Sequence, residues 1–378
     1  MLDNTTGEKN TALGHCALGN NETGQQNVII GYNSGIGLTC GGNYNVAIGS
    51  QSLQCASTTD QNVAVGYLSL LKTTCNNSTA VGAYAGSCMT TGVYNTAIGY
   101  ASQNYTTTGG GNTSLGYQAL YLNNESTAAH NTAVGSFALV SNSYGGCNVA
   151  VGTCSLCSNT CGGNNVALGF RALCANTVGT NNIAIGREAG RLTTCTGSVF
   201  IGHTAGYSNT TGVNTAIGNQ AMYTNTDGTE NVAVGVQALF ANCTGYQNTA
   251  VGNAALGSNT TGLRNVAVGC GAAYSNTTGD KNTAVGCQAG FSNCTGDGQV
   301  AIGSRALYTS TVGENVAVGS CALTLNTTGA CNTAVGHIAL CSNTTGCRNI
   351  ALGYKTLSRS LTASRNVAIG FSALCCSC

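Results

Sequence analysis

The sequence predicts an all-β fold, a parallel β-solenoid or β-roll of about 22 rungs with 17 residues to a rung. The first observation is a period. The motif N-[TV]-A-[VI]-G-x-x-A-[LG]-x-x-N-T-T-G-x-x fills residues 248–264 and begins again at Asn265, and its first glycine recurs from Gly14 to Gly370. Short units at a fixed spacing cannot bury an apolar face alone and must stack on their neighbours. The second observation is that 55 glycines accompany no proline, as expected of a long ladder that uses nearly every backbone N–H as a donor. The third is that no stretch of ten residues carries the helical 3.6-residue period, which excludes an α-solenoid. Because no stretch leaves the period, residues 1–378 read as one continuous domain.

Each rung opens on a strand. The residue before the anchor glycine is Val, Ile or Leu throughout, and the one before that is Ala except at Ile29, Ser114 and Phe200. Neighbours in a strand face opposite sides, so an aliphatic column beside a small one means that neither face is freely solvated. One face is the interior, and the other is either a second packed layer or an interface with another chain, where the small Ala column permits close approach and is the candidate surface for lateral association of copies. The anchor glycine ends the strand at a backbone angle that side chains resist. A second apolar pair, such as Ala238-Leu239, predicts a second short strand. Leu gives way to glycine at Gly35, Gly86, Gly190, Gly206 and Gly290, which predicts thin spots in the core. Asn-Thr-Thr-Gly, as at residues 276–279, is a turn whose Asn and Thr bond nearby backbone and whose Gly takes positive φ. The spacing slips by a residue or two in places, as from Gly116 to Gly135, and those slips fall in the turns.

The recurring N-[TV]-A-[VI]-G-x-x-A-L resembles the head repeats of trimeric autotransporter adhesins, and the longer form with Asn-Thr-Thr-Gly is similar to arrays in tail-fibre and surface-fibre proteins. The resemblance covers residues 4–374. It implies a parallel β-roll, often homotrimeric, acting as a stiff extracellular spacer or binding head.

Composition narrows the function classes. Charged residues are 6% of the chain, the net charge is +1, and the 12 Lys and Arg are scattered, so no basic stripe follows a phosphate backbone and nucleic acid is excluded as a partner. The longest apolar runs are a few residues, too short to span a membrane. His15, His203 and His337 each follow an anchor glycine but lie many rungs apart without a recurring acidic partner, and no catalytic constellation forms. Cys154-Ser-Leu-Cys157 has redox-motif spacing, and Cys375-Cys376-Ser-Cys378 is dense, yet neither has the paired ligands of a zinc site. No enzyme activity, cofactor or metal is expected.

Twenty-two cysteines point to an oxidising compartment and hence to the extracellular space or a cell or virion surface. Stacked positions lie about 4.8 Å apart, within reach of a disulfide, which nominates Cys157 with Cys174, Cys270 with Cys287 and, one position out of phase, Cys331 with Cys347. Asn209, Asn242, Asn259, Asn276, Asn293, Asn326 and Asn343 share one turn phase in Asn-x-Ser/Thr triplets and are candidates for a glycan stripe. The chain enters the repeat at Asn4 almost where it leaves it, without capping units. This predicts head-to-tail polymerisation with an axial repeat of roughly 105 Å, with Asn4, Cys16, Cys375, Cys376 and Cys378 at the junction. The expected function is a structural extracellular fibre, self-assembling into a filament, glycosylated and adhesive. The alternative is a ligand-binding solenoid, either an ice-binding protein or the receptor-binding shaft of a viral or phage fibre. Ladders of Thr on a flat strand face would favour ice, whereas Thr-Thr here lies mostly in the turn.

Overall fold

The computed structural model describes residues 3–39 and 41–375. The chain forms two compact units, Met1–Glu188 and Ala189–Cys378. Each is a parallel β-solenoid, and no helix occurs among the described residues. In the first unit eleven three-residue strands run from Thr11–Leu13 to Ile183–Ile185, each pairing parallel with the next. The second repeats the arrangement from Val199–Ile201 to Val367–Ile369. Register never slips: Ala250 faces Ala267 and Val251 faces Val268.

Alternation along the strand decides what is inside. Ala267 is fully buried, whereas Val266 and Val268 on either side are 38% and 37% exposed. The small column therefore faces the interior, where it packs against the Ala-Leu pair returning on the other side of the rung. The Ala column is thus unavailable for lateral association; the outer columns flank it. The rung is too narrow for two large layers, so Ala opposes Leu.

The Ala-Leu segment is a run of turns, not the expected second strand. Gln237 and Leu239 both adopt left-handed backbone, at φ 56° and 50°. Leu239 N–H bonds forward to Ala255 O at 3.0 Å, while Ala238 N–H bonds back to Gly235 O at 3.3 Å. An extended strand cannot reverse within so few residues. A left-handed Leu costs on the order of 1–2 kcal/mol, and burying its side chain returns a comparable or larger amount, about 1.5–3 kcal/mol. Tyr105–Thr106 and Leu122–Asn123 form a short parallel bridge on this side.

Glycine recurs at two positions of the rung for different reasons: the anchor is glycine in every rung, whereas the turn position is taken by Thr59, Cys75, Ala128 and Ala363 in others. Gly252, an anchor, sits at φ +135°, and a Cβ there would lie 2.5 Å from Gly269 O of the next rung. Gly262, which closes Asn-Thr-Thr-Gly, is not left-handed. Its constraint in this regular rung is proximity, since a Cβ would lie 2.5 Å from both Asn259 Oδ1 and Gly279 O. The expected positive φ at that turn position is therefore corrected to close approach.

Three of the expected thin spots are filled. Ile29 occupies the space beside Gly35, the Met89 and Leu70 side chains close on Gly86, and the Phe200 ring lies where a Gly206 side chain would begin. Gly290 is different, with only the Ala284 and Ala301 methyls nearby, at 3.6 and 3.8 Å from where its Cβ would stand.

Candidate interaction surface and thiol cluster

Two columns of asparagine line the interior. At the start of each strand, Asn265 N–H donates to Asn248 Oδ1 at 3.0 Å while its Nδ2 donates to Gly279 O at 2.8 Å, tying strand to turn. In the turn, Asn259 Nδ2 donates to Asn242 Oδ1 at 2.8 Å and to Gly262 O at 2.9 Å. Each amide thus satisfies its neighbours in a space that excludes water, where an unpaired polar group costs about 1–3 kcal/mol. The turn ladder breaks where Leu38, Thr193 and Ser360 replace Asn and where Asn293 turns to its own Gly296, so that the oxygens of Asn21, Asn176, Asn343 and Asn276 are left without a partner.

This overturns the glycan stripe. Asn209, Asn242, Asn259, Asn276, Asn326 and Asn343 are fully buried and Asn293 is 2% exposed. Their Nδ2 atoms, where a glycan would attach, are spent on Gly carbonyls inside the rung. Asn4 is exposed and starts the same ladder, its Oδ1 accepting from Asn21 Nδ2 at 2.9 Å and its Nδ2 donating to Gly7 O at 2.9 Å. Of the other predicted junction residues, Cys16 and Cys375 are half-buried, and Cys376 and Cys378 lie outside the described residues.

The outer face of the strands is an ordered surface in both units. Every rung contributes two outward side chains, a Thr, Val or Ile and then a Val, Ile or Leu, aligned with those above and below. Eleven rungs in register carry this stripe past the roughly 300–600 Å² apolar patch typical of a monomer. Thr79, Thr96, Thr113 and Thr132 stack on four consecutive rungs of this face, so Thr is not confined to the turns.

Aromatic side chains stack beside the strands. Tyr67, Tyr84, Tyr100, Tyr117 and Phe137 form one ladder with centroids 5.2–5.8 Å apart, and Tyr207, Tyr223 and Phe240 another. Such pairs add about 0.5–1.5 kcal/mol beyond burial. His15 and His337 belong to this class, stacking on Tyr32 and Tyr354 at 5.4 and 5.8 Å, while His203 Nδ1 lies 3.4 Å from Thr204 Oγ1. Among the described residues no group of three or more His, Cys, Asp or Glu is arranged to hold a metal ion. The ladders escaped sequence reasoning, although aromatics 16 or 17 residues apart, as at Tyr207, Tyr223 and Phe240, were a visible signal.

The six nominated cysteines are thiols, and the structure treats the three pairs differently. Cys157 Sγ and Cys174 Sγ approach to 3.1 Å. Cys270 and Cys287 are exposed on adjacent rungs. Cys331 Sγ instead donates to Glu314 Oε2 at 3.3 Å, and that carboxylate, with some burial, pushes its pKa up. Cys347 Sγ lies 3.4 Å from Thr345 O and accepts the Ala330 N–H at 3.4 Å. Around Cys157 a cluster forms that pair-matching alone did not find. The hydrogen bond from Cys174 lowers its pKa to about 6, helped by Ser158, by backbone N–H and by Arg171, against the cost of burial. Cys154 is pushed the other way, by burial first and then by the charge on Cys157, with Arg171 opposing. Arg171 stands 17 residues after Cys154, as Cys174 does after Cys157, which places a guanidinium and three thiols on two adjacent rungs.

No model of a known protein family matches the chain, and no curated protein sequence is significantly similar to it.

Proposed function

We propose that the chain is a structural fibre element of an extracellular, cell or virion surface, and that it associates laterally with further copies of itself through the outward Thr/Val/Ile stripe. The observation that carries this reading is the constancy of that stripe. Its columns repeat every rung without a charged residue, as at Thr249, Val266 and Thr283 and at Val251, Val268 and Val285. A surface ruled at about 4.8 Å is complemented along its whole length only by another surface with the same ruling, and a second copy of the chain has one. The resemblance to adhesin heads, which often trimerise, points the same way. End-to-end association into a filament remains part of the reading, because stacking rung on rung between chains would use the same hydrogen bonds that each rung already makes within one.

Sedimentation and negative-stain imaging of the purified chain test this, with a variant carrying Val251→Lys and Val285→Lys on alternate rungs. The wild type is expected to form laterally paired or trimeric rods, and the variant to fall to single rods with an unchanged far-UV spectrum. Monodisperse single rods from the wild type at every concentration refute lateral association, and lateral association that survives both lysines refutes the stripe as its surface. One observation favours a second reading: the outward ladder Thr79, Thr96, Thr113 and Thr132 is the kind of flat, regular array that ice binding needs. A thermal-hysteresis assay on the same sample separates the two.

A further inference from the structure

We propose that Cys157 and Cys174 form a reversible dithiol–disulfide site that exchanges with low-molecular-weight disulfides of the glutathione class. The proposal does not depend on the fibre reading. Among the described cysteines, Cys157 and Cys174 stand at the same phase on consecutive rungs with their sulfurs in contact at 3.1 Å. A disulfide requires about 2.05 Å between sulfurs and Cα atoms roughly 4.4–6.8 Å apart. Stacked rungs meet the Cα condition, and turning the two side chains closes the remaining gap of about 1 Å.

The surroundings assign the roles. Cys157 is half-buried, with Cys174 as its closest donor, Ser158 Oγ at 4.0 Å and the Arg171 charge nearby, so the thiolate is the favoured form near neutral pH. Arg171 is itself placed by the rung, its backbone N–H bonded to Thr153 O at 3.1 Å and its guanidinium carbon 4.9 Å from the Phe170 ring centroid. Cys154 keeps its proton beside the Cys157 charge and does not compete as nucleophile.

In the first step the Cys157 thiolate attacks one sulfur of a disulfide R–S–S–R. The R–S–S–R bond breaks, Cys157 becomes a mixed disulfide, and one thiolate R–S⁻ departs. Cys174 then loses its proton to that departing thiolate and attacks Cys157 Sγ, forming the Cys157–Cys174 bond and expelling the second R–S⁻, which takes a proton from water equivalent to the one Cys157 lost on ionising. The protein dithiol is oxidised by two electrons, and the small disulfide is reduced to two thiols. The product ties two rungs together, and an excess of the small thiol reverses it. Cys331, bonded to Glu314, has its thiolate disfavoured, and Cys270 and Cys287 are exposed.

The test uses the full chain, fully reduced and then exposed to oxidised glutathione between pH 6 and pH 8, with acid quenching and non-reducing peptide mapping. The expected dominant product is the peptide pair joined through Cys157 and Cys174, reversed by reduced glutathione. Cys174→Ser is expected to trap a glutathione adduct on Cys157, and Cys157→Ser to leave Cys174 no more modified than exposed cysteines. An independent readout uses the unmutated chain. After the lower intrinsic nucleophilicity of a low-pKa thiolate is allowed for, alkylation of Cys157 should outpace that of Cys270 roughly twofold at pH 7 and roughly tenfold at pH 6. The proposal is overturned if the Cys157–Cys174 pair is no more abundant than other cross-links, or if Cys157 and Cys270 alkylate at equal rates at pH 6.

Discussion

Phe200 and Gly206 offer the sharpest test of how the interior is built. Phe200 is fully buried where nearly every rung has Ala, and Gly206 stands in the same rung where most have Leu. The Phe200 ring fills the space a Gly206 side chain would enter. Phe200→Ala alone should cost about 3–5 kcal/mol, because the rung on either side cannot collapse into the hole. Gly206→Leu alone forces a second large group into occupied space and should cost about 1–3 kcal/mol or more. Together the two changes restore the pairing seen at Ala250 and Leu256, both fully buried, and should return within about 1 kcal/mol of the starting chain. The residual is the difference between filling the site with Leu and holding Leu at left-handed φ. A coupling of at least about 3 kcal/mol follows, at the top of the range for side chains in contact. Because a solenoid opens locally and not as one two-state body, the quantity to measure is the amide hydrogen-exchange free energy of the rungs around residues 199–217 in all four chains. Additive single effects, or a double variant worse than Phe200→Ala, would refute the shared-space account.

Three further outcomes rest on the same interior. Gly290→Leu should stabilise its rung by about 1 kcal/mol, since only two methyls border the site and a left-handed Leu is already the rule there; hydrogen exchange at residues 284–307 reads it. Ser360→Asn should also gain about 1 kcal/mol by supplying a donor to the partnerless Asn343 Oδ1 and removing the equally partnerless Ser360 Oγ, and slower amide exchange in residues 343–366 checks it. Asn259→Leu should cost about 1–3 kcal/mol, because it strands Asn242 Oδ1 inside the rung and removes one of the two partners of Gly262 O and of Asn276 Nδ2, which keep Asn248 Nδ2 and Gly279 O, and the loss should appear as faster exchange in residues 242–279.

The rung, its strand and its anchor glycine were legible because they follow from period alone: a residue that recurs every 17 positions must stack on itself. The direction of the strand was not legible from alternation, since Val266, Ala267 and Val268 are all apolar and either face could pass for the inside. Volume decides it. The clue lay in paired exceptions: Ile29 with Gly35 and Phe200 with Gly206 exchange bulk within one rung, which happens only if the Ala and Leu columns share one space. The turn asparagines misled for a related reason. Asn-x-Thr reads locally as an acceptor for a glycan, but a side chain stacked at rung spacing on its own copy becomes a ladder, and the amide nitrogen that a glycan needs is then consumed. Local propensity likewise rejects Leu at left-handed φ, so the Leu239 side of the rung read as strand; only its burial outweighs that cost. The thiol cluster shows the converse. Its members lie three residues and one rung apart, so neither pair-matching along one column nor motif-matching within one rung finds Cys154, Cys157, Arg171 and Cys174 together. A repeat of this kind is read correctly as a two-dimensional lattice, with position in the rung on one axis and rung number on the other, and chemistry arises where unlike residues meet across both.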